Sequence, residues 1–322
     1  MTLSFDVSRT VKTSISLIQE NRHSSFYLPG TDCPVLAQAP LANLTSFRVG
    51  GPAQWYVAPR KTEDMQASFT WAKKLDLPIT LLGAGSNLLV SDQGLPGLVI
   101  GTRYLRQIHF DEATGQIVAG AGEPIARLAW LAAKRGWRGL EWAVGIPGTL
   151  GGAVVMNAGA HNSCIADSLV NTLVLLPDGS VQKMDAQQLS YSYRSSSLQG
   201  KQKLVTQVTL QLKPGGSRAE VMAASNHNLR QRKTSQPYHL PSCGSVFRNP
   251  KPYAAGWLIE QMGLKGYQIG AAQVAHRHAN FILNCGGATA SDIFRLISHI
   301  QEQVEHHWSL SLEPEVKLLG EF

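Results

Sequence analysis

Only four cysteines occur in this chain, Cys33, Cys164, Cys243 and Cys285, and no two of them form a CxxC pair. That scatter excludes a zinc knuckle and a dithiol redox site, and it points to free thiols in a reducing compartment. His276 and His278 make an HxH with no third ligand evident, so no metal is expected. The chain also lacks any uninterrupted apolar run long enough to span a bilayer, and its opening MTLSFDVSRTVKTS lacks the apolar region of a secretory signal. A cytoplasmic protein without membrane association is the expectation. Lysine and arginine do not cluster into a basic run, so the net charge of +7 suits anionic small molecules better than nucleic acid. Internal repeats and low-complexity tracts are absent as well.

Glycine, by contrast, is abundant and concentrated. Five of the fifteen residues in GIPGTLGGAVVMNAG are glycine: Gly145, Gly148, Gly151, Gly152 and Gly159. Glycine inside an element costs roughly 0.5–1 kcal/mol against alanine, so such density requires a reason. Either several turns need positive φ, or a backbone must be approached closely by something else. The stretch reads as a tight buried corner or as a cradle of N–H groups for phosphate oxygens. A second glycine loop lies upstream, Gly83-Ala84-Gly85-Ser86-Asn87, between the strands Ile79–Leu82 and Leu88–Val90. The dinucleotide fingerprint of the Rossmann fold requires GxGxxG followed by a helix, and here β-like residues follow a bare GxG. The Rossmann reading fails, while a phosphate loop between strands stands.

Taken in order, the first forty residues show no clean period and read as a peripheral extension with one short helix and a turn at Leu28–Asp32. Apolar spacing predicts helices from an N-cap at Thr62, from Pro124 to Gly136 and over Ser291–Val304, and further helices are read over the polar Arg218–Arg232 and over Ala255–Met262. Pro177-Asp178-Gly179-Ser180 between Thr172–Leu176 and Val181–Met184 is a hairpin signal. At the C-terminus, Trp308–Leu318 alternates strictly and predicts a half-buried strand with Glu313, Glu315 and Lys317 on its solvent face. With 43% apolar and 16% charged residues, 322 residues suffice for two or three domains. The expected division is an extension over 1–40, then units over 41–98, 99–214 and 215–322.

Seven blocks in order then give the chain a family. They are TSFRVGGPA (45–53), LLGAGSNLLVSD (81–92), EWAVGIPGTLGGAVVMNAGA (141–160), YSYR (191–194), CGSVFRNP (243–250), GWLIEQMGLKGYQIGAAQVAHRHANFILN (256–284) and LEPEVKLLG (312–320). They resemble the UDP-N-acetylenolpyruvoylglucosamine reductases and cover nearly everything from residue 42 to 320. The resemblance implies an α+β fold, with a two-subdomain FAD-binding region of vanillyl-alcohol-oxidase type and a C-terminal α+β substrate-binding domain. It implies FAD as cofactor, NADPH as hydride donor and UDP-N-acetylglucosamine enolpyruvate as substrate, reduced to UDP-N-acetylmuramate. Arg194 and Ser245 are 51 positions apart, which leaves little room for the lobe that one subclass inserts. The chain is therefore similar to the shorter subclass, and is expected to be a monomer or weak oligomer.

Residue by residue, the resemblance places FAD against Gly83, Ala84, Gly85, Ser86, Asn87 and Leu88, and against Gly148, Thr149, Gly151, Gly152, Asn157, Ala158 and Gly159. Arg194 is expected to hold the substrate carboxylate, Glu315 to assist its polarisation, and Ser245 to donate a proton to the α-carbon. Tyr193, Lys233 and Asn249 fall where the family contacts substrate or NADPH, and Cys243 is a bystander. Two other readings keep the glycine loops: another FAD oxidoreductase of the same superfold acting on an alcohol or sugar, and a non-catalytic flavin or UDP-sugar module. Neither needs Arg194, Ser245 and Glu315 together.

Overall fold

The computed structural model describes residues 26–322. The short helix expected within the first forty residues finds no place among residues 26–40, and the remainder of that stretch lies outside the described residues. Strands β1 (Phe26–Tyr27), β2 (Pro34–Pro40), β3 (Pro52–Val57), β4 (Ile79–Leu82) and β6 (Leu95–Gly101) form a first sheet in the order β1-β2-β3-β6-β4. The end of the expected extension, Pro34–Pro40, thus pairs antiparallel with β3 inside this sheet. Its alternating Val35, Ala37 and Ala39 supply the apolar face that the pairing buries.

Helix α1 (Thr62–Lys74) connects β3 to β4 and packs Met65, Phe69 and Ala72 into the first core. Its N-cap is Lys61 rather than Thr62. The Asp64 carboxylate accepts from the Lys61 N–H at 3.3 Å, and a threonine hydroxyl one position later is not needed. Between β4 and β6 runs β5 (Leu88–Val90), which leaves the first sheet altogether.

A second sheet is antiparallel throughout, in the order β12-β11-β13-β8-β7: β7 (Ile108–Asp111), β8 (Gln116–Gly120), β11 (Leu169–Leu175), β12 (Val181–Asp185) and β13 (Leu204–Gln211). The hairpin expected at Pro177–Ser180 joins β11 to β12. Helix α2 (Ile125–Lys134) lays Ile125, Leu128, Ala129 and Ala132 on this sheet's core. Short strands β9 (Gly159–Ala160) and β10 (Ser163–Cys164) form a separate hairpin. Half of the glycine-rich stretch is a helix, α3 (Leu150–Met156). Thr149 caps it by accepting from the Gly152 N–H at 3.3 Å, and the apolar Leu150, Ala153 and Val154 supply a buried face despite the two glycines.

Helix α4 (Arg218–Ser235), capped by Ser217, leads into the third unit. There α5 (Ala255–Gln261), the sheet β14-β15-β16 (Gln268–Ile269, Ala272–Val274, Ile282–Asn284) and α6 (Ala290–Trp308) enclose a core. That core also takes Phe47, Val49 and Leu89 from the first unit. The carboxylate of Asp92 accepts from the N–H groups of Ala290 and Ser291, tying the first unit to the start of α6.

The C-terminal segment differs from its expected single strand. Helix α6 runs on through Trp308, which packs on Tyr253 and Trp257, and the chain then turns at Ser309 with φ 51°. Only β17 (Lys317–Leu319) is a strand, and it pairs in parallel with β5, Lys317 opposite Leu88. The alternation survives as burial of Leu312 and Val316 but slips beyond them, leaving Leu318 exposed. No helix among the described residues is long and apolar enough to cross a membrane.

Candidate active site

The pairing of β17 with β5 brings the last strand against the first glycine loop. The Lys317 N–H donates to the Asn87 carbonyl at 3.0 Å, and the Asn87 side-chain amide donates to the Glu315 carbonyl at 2.9 Å. Glu315 is therefore fixed by the loop that the resemblance assigns to FAD. On the other side, the Glu315 N–H donates to the Val246 carbonyl at 2.7 Å, and Phe247 and Pro314 form a bridge. This places Ser245, one residue before Val246, beside the segment that leads into β17. Ser245 is partly exposed, and its hydroxyl makes no hydrogen bond among the described residues.

Arg194 completes the group. Its Nε donates to Glu315 Oε1 at 2.8 Å and its Nη2 to the Gly159 carbonyl at 2.9 Å. Its backbone is left-handed, φ 55°, within a tight turn closed by reciprocal hydrogen bonds between Ser192 and Ser195. Such a conformation costs of order 1–3 kcal/mol for a residue with a side chain and persists only where its surroundings hold it. Here the Gln199 side chain donates to the Arg194 carbonyl at 2.9 Å, and Arg248 Nη2 donates to it at 3.2 Å. The Asn157 side chain donates to the Ser192 carbonyl and accepts from Ala166 N–H. Asn157, expected at the cofactor, thus spends its side chain on anchoring the Arg194 turn.

Burial pushes the Glu315 carboxyl above its ordinary value of 4.5, against the pull of Arg194, Arg248 and Lys317. Because the folded protein holds this proton more tightly than the unfolded chain, the contribution of Glu315 to stability is most favourable below pH 4.5 and is lost as pH rises through the folded value. Glu315→Gln keeps an acceptor for Arg194 and removes that loss. Its melting temperature relative to wild type is therefore expected to rise as pH increases from 4 toward 8. Melting curves at several pH values check this, and a difference that does not change with pH would contradict it.

The glycine loops supply donors rather than charge. The N–H groups of Gly83, Ala84, Gly85, Ser86 and Asn87 find no backbone acceptor among the described residues, nor do those of Gly148 and Thr149. Consecutive free amides on partly exposed loops are the donor set that a pyrophosphate requires, so the residues present fit FAD. The two loops touch, Ser86 Oγ donating to the Pro147 carbonyl at 3.2 Å. A Cβ on Gly83 would lie 2.7 Å from Thr149 Oγ1, so a side chain there would wedge the loops apart. Gly85 has φ +65°, and a Cβ would meet the Leu44 carbonyl at 2.2 Å. Leu88 begins β5 behind this loop. Gly85→Ala is expected to lower stability by roughly 1–3 kcal/mol from the backbone conformation alone, and to release FAD on dilution. Thermal melting and absorbance of the bound flavin measure both.

The remaining predicted residues fall as follows. Gly151 and Gly152 lie in the first turn of α3, Ala158 follows its end, and Gly159 opens β9 and accepts from Arg194. Tyr193 is exposed, with the Arg194 guanidinium 5.1 Å from its ring centre. Asn249 uses Oδ1 to accept from the Ala255 N–H at the start of α5, leaving its amide donors for a ligand. Lys233 is exposed in the last turn of α4 and has no described contact with Arg194, Glu315 or Ser245. Cys243 is buried beneath the loop, donating to the Leu88 carbonyl at 3.3 Å, and burial pushes its thiol up to about 12. That thiol is no nucleophile at neutral pH. Sequence reasoning missed Gln199 and Arg248, which hold the Arg194 turn. Gln199 carries no local signal, whereas Arg248 stands in the quoted CGSVFRNP block.

Comparison with known proteins places the chain in a family. Residues 53–185 match the model of an FAD binding domain, and residues 236–319 match that of the UDP-N-acetylenolpyruvoylglucosamine reductase C-terminal domain. The UDP-N-acetylenolpyruvoylglucosamine reductase of Nostoc punctiforme is 65% identical over 296 residues, 92% of this chain and 89% of the relative. That of Synechocystis is 57% identical, over 92% of this chain and 94% of the relative. The crystal structure of UDP-N-acetylenolpyruvylglucosamine reductase from Thermus caldophilus aligns with a TM-score of 0.76 at 34% identity, covering 88% of this chain and 98% of that one.

Proposed function

Because the chain belongs to the UDP-N-acetylenolpyruvoylglucosamine reductase family, we propose that Arg194, Glu315 and Ser245 are the residues that perform the family's reaction in it. The enzyme reduces the enolpyruvyl double bond of UDP-N-acetylglucosamine enolpyruvate with NADPH, giving UDP-N-acetylmuramate for peptidoglycan synthesis. Bound FAD supplies the hydride, drawn from NADPH, that adds to the methylene carbon. Negative charge then develops at the substrate's α-carbon and spreads into its carboxylate, which is where this chain's residues act.

In this reading the guanidinium fork of Arg194 holds the substrate carboxylate and the developing charge. Glu315, whose carboxyl is raised by burial and would be raised further by a substrate anion beside it, assists polarisation of the substrate carboxylate. Ser245 delivers a proton to the α-carbon and is resupplied from solvent across its exposed side. Gly83–Leu88, Gly148, Thr149, Gly151, Gly152, Ala158 and Gly159 hold FAD in the same reading, while Tyr193, Lys233 and Asn249 contact substrate or NADPH. The observation that carries the assignment is the Arg194–Glu315 ion pair at 2.8 Å, whose Glu315 carbonyl is held by Asn87 of the glycine loop. Cofactor loop and reactive pair are one connected structure.

The proposed division into 41–98, 99–214 and 215–322 follows three main apolar cores, with the strand β2 added to the first. However, β6 runs across the first boundary, Leu105, Leu175 and Leu204 join the first core, and Phe47, Val49 and Leu89 join the third. A cytoplasmic monomer or weak oligomer that binds no nucleic acid is part of the same reading. The test is anaerobic: NADPH is expected to bleach the flavin, and the enolpyruvyl sugar to restore its absorbance without oxygen. A flavin that stays reduced until air enters would instead indicate an oxidase of the same superfold.

A further inference from the structure

The reactive residues come from three segments far apart in sequence, and Arg248 sits on one of them while its side chain reaches the other two. Arg248 is three residues from Ser245 on the same loop. Its backbone N–H donates to the Glu313 carbonyl at 2.9 Å, and its Nη1 lies 3.0 Å from the Glu313 carboxylate, two residues before Glu315. Its Nη2 donates to the carbonyl of Arg194 at 3.2 Å, the residue with left-handed backbone. A planar fork reaches both partners at once, which a lysine ammonium does less well.

Two further features set Arg248 apart from an ordinary surface arginine. Its side chain is only 20% exposed, and its Nε is buried with no hydrogen-bond partner among the described residues. An unpaired interior donor is costly and uncommon, so stability does not account for it. Nor does the ion pair with Glu313, whose carboxylate is 65% exposed and so contributes little. The strand pairing around Phe247 and Pro314 uses backbone atoms and survives loss of the side chain.

We propose that Arg248 is a positioning residue that locks the Arg194 turn, the Glu315 segment and the Ser245 loop into a single reactive geometry. The proposal rests on the assignment of those three residues above. It has a consequence for charge as well as for geometry. The charged groups around the Glu315 carboxyl are Arg194, Arg248 and Lys317, with Glu313 on the far side of Arg248. Removing the Arg248 cation takes away one of the pulls that oppose burial, so the Glu315 carboxyl titrates at higher pH.

The experiment compares holoenzyme carrying Arg248→Met, Arg248→Lys or Arg194→Ala with wild type. For Arg248→Met, reduction of the flavin by NADPH is expected to stay within about twofold of wild type, because that half-reaction uses none of the three residues. Reoxidation by the enolpyruvyl sugar is expected to slow about 10–100-fold, the size of effect a small misplacement of reacting groups produces. The melting temperature stays close to wild type. The Glu315 carboxyl, followed by NMR in 13C-glutamate-labelled protein and assigned by its loss in Glu315→Gln, is expected to titrate at higher pH. Arg248→Lys should restore that titration while reoxidation stays slowed.

Wild-type reoxidation and an unmoved titration in Arg248→Met would overturn the proposal. So would equal loss of both half-reactions together with a fall in melting temperature, since that describes a scaffold residue. If Arg248→Met does not fold, Arg248→Lys decides: reoxidation slowed about threefold or more supports the proposal, and a wild-type rate overturns it. Arg194→Ala separates the two levels. If it too leaves reoxidation untouched, the catalytic assignment falls and this proposal with it; if it alone slows reoxidation, only the role of Arg248 falls.

Discussion

Replacing Arg194 with alanine is expected to slow reoxidation of the reduced flavin by the enolpyruvyl sugar about 10²–10³-fold, as removal of a preorganised charge-stabilising donor does elsewhere. The reason lies in where the charge goes. Hydride addition to the methylene carbon loads the substrate carboxylate, and Arg194 is the cation paired with Glu315 and braced by Gly159, Gln199 and Arg248. A braced cation needs no reorganisation as charge develops, which a mobile or hydrated one does. Reduction by NADPH precedes that charge and should be nearly unchanged. Arg194→Lys restores charge without the fork, and is expected to recover only part of the rate. Equal slowing of both half-reactions would mean that the substitution disturbs the cofactor rather than the substrate.

Ser245→Ala is expected to slow the same half-reaction about 10²–10⁴-fold, the range for loss of a positioned proton donor. The structure gives Ser245 few other duties. Its hydroxyl makes no described hydrogen bond, and the adjacent backbone is held by Val246, which donates to the Asn280 carbonyl at 2.9 Å and accepts from the Glu315 N–H. The loop therefore keeps its shape without the hydroxyl, and the melting temperature should not change. Ser245→Cys keeps a donor of lower pKa in the same place and is expected to recover part of the rate. Recovery by cysteine separates proton delivery from mere packing, because alanine and cysteine bracket serine in size.

Much of the frame was legible in the residues. The loop at Gly83–Asn87 between two strands was readable because only glycine tolerates both the left-handed turn at Gly85 and the backbone oxygen of Leu44 beside it. The helices starting near Pro124 and Ser291 followed from apolar spacing, and the one near Arg218 was legible only as a polar helix. What local pattern missed were features set by distant parts of the chain. Glu315 reads as solvent-facing by alternation, yet it is only 14% exposed, because Arg194 from a loop 121 residues away covers it. The left-handed backbone of Arg194 carries no signal in YSYR, since Gln199, Asn157 and Arg248 impose it from outside. Pro34–Pro40 looked peripheral because its partner β3 begins a dozen residues later. Helix α3 was hidden inside the glycine-rich stretch because two glycines argue against a helix, whereas its cap and its buried Leu150, Ala153 and Val154 favour one. The catalytic roles themselves came from the family's blocks and not from periodicity.

The most direct measurement is a single anaerobic turnover: holoenzyme reduced with one equivalent of NADPH, mixed with UDP-N-acetylglucosamine enolpyruvate, and followed by flavin absorbance in wild type and Ser245→Ala. The expected result is full reoxidation of the wild type without oxygen and a variant slower by at least about 100-fold, with equal melting temperatures. Equal reoxidation rates in the two proteins would contradict the assignment of the proton donor, and a wild-type flavin reoxidised only by air would contradict the account as a whole.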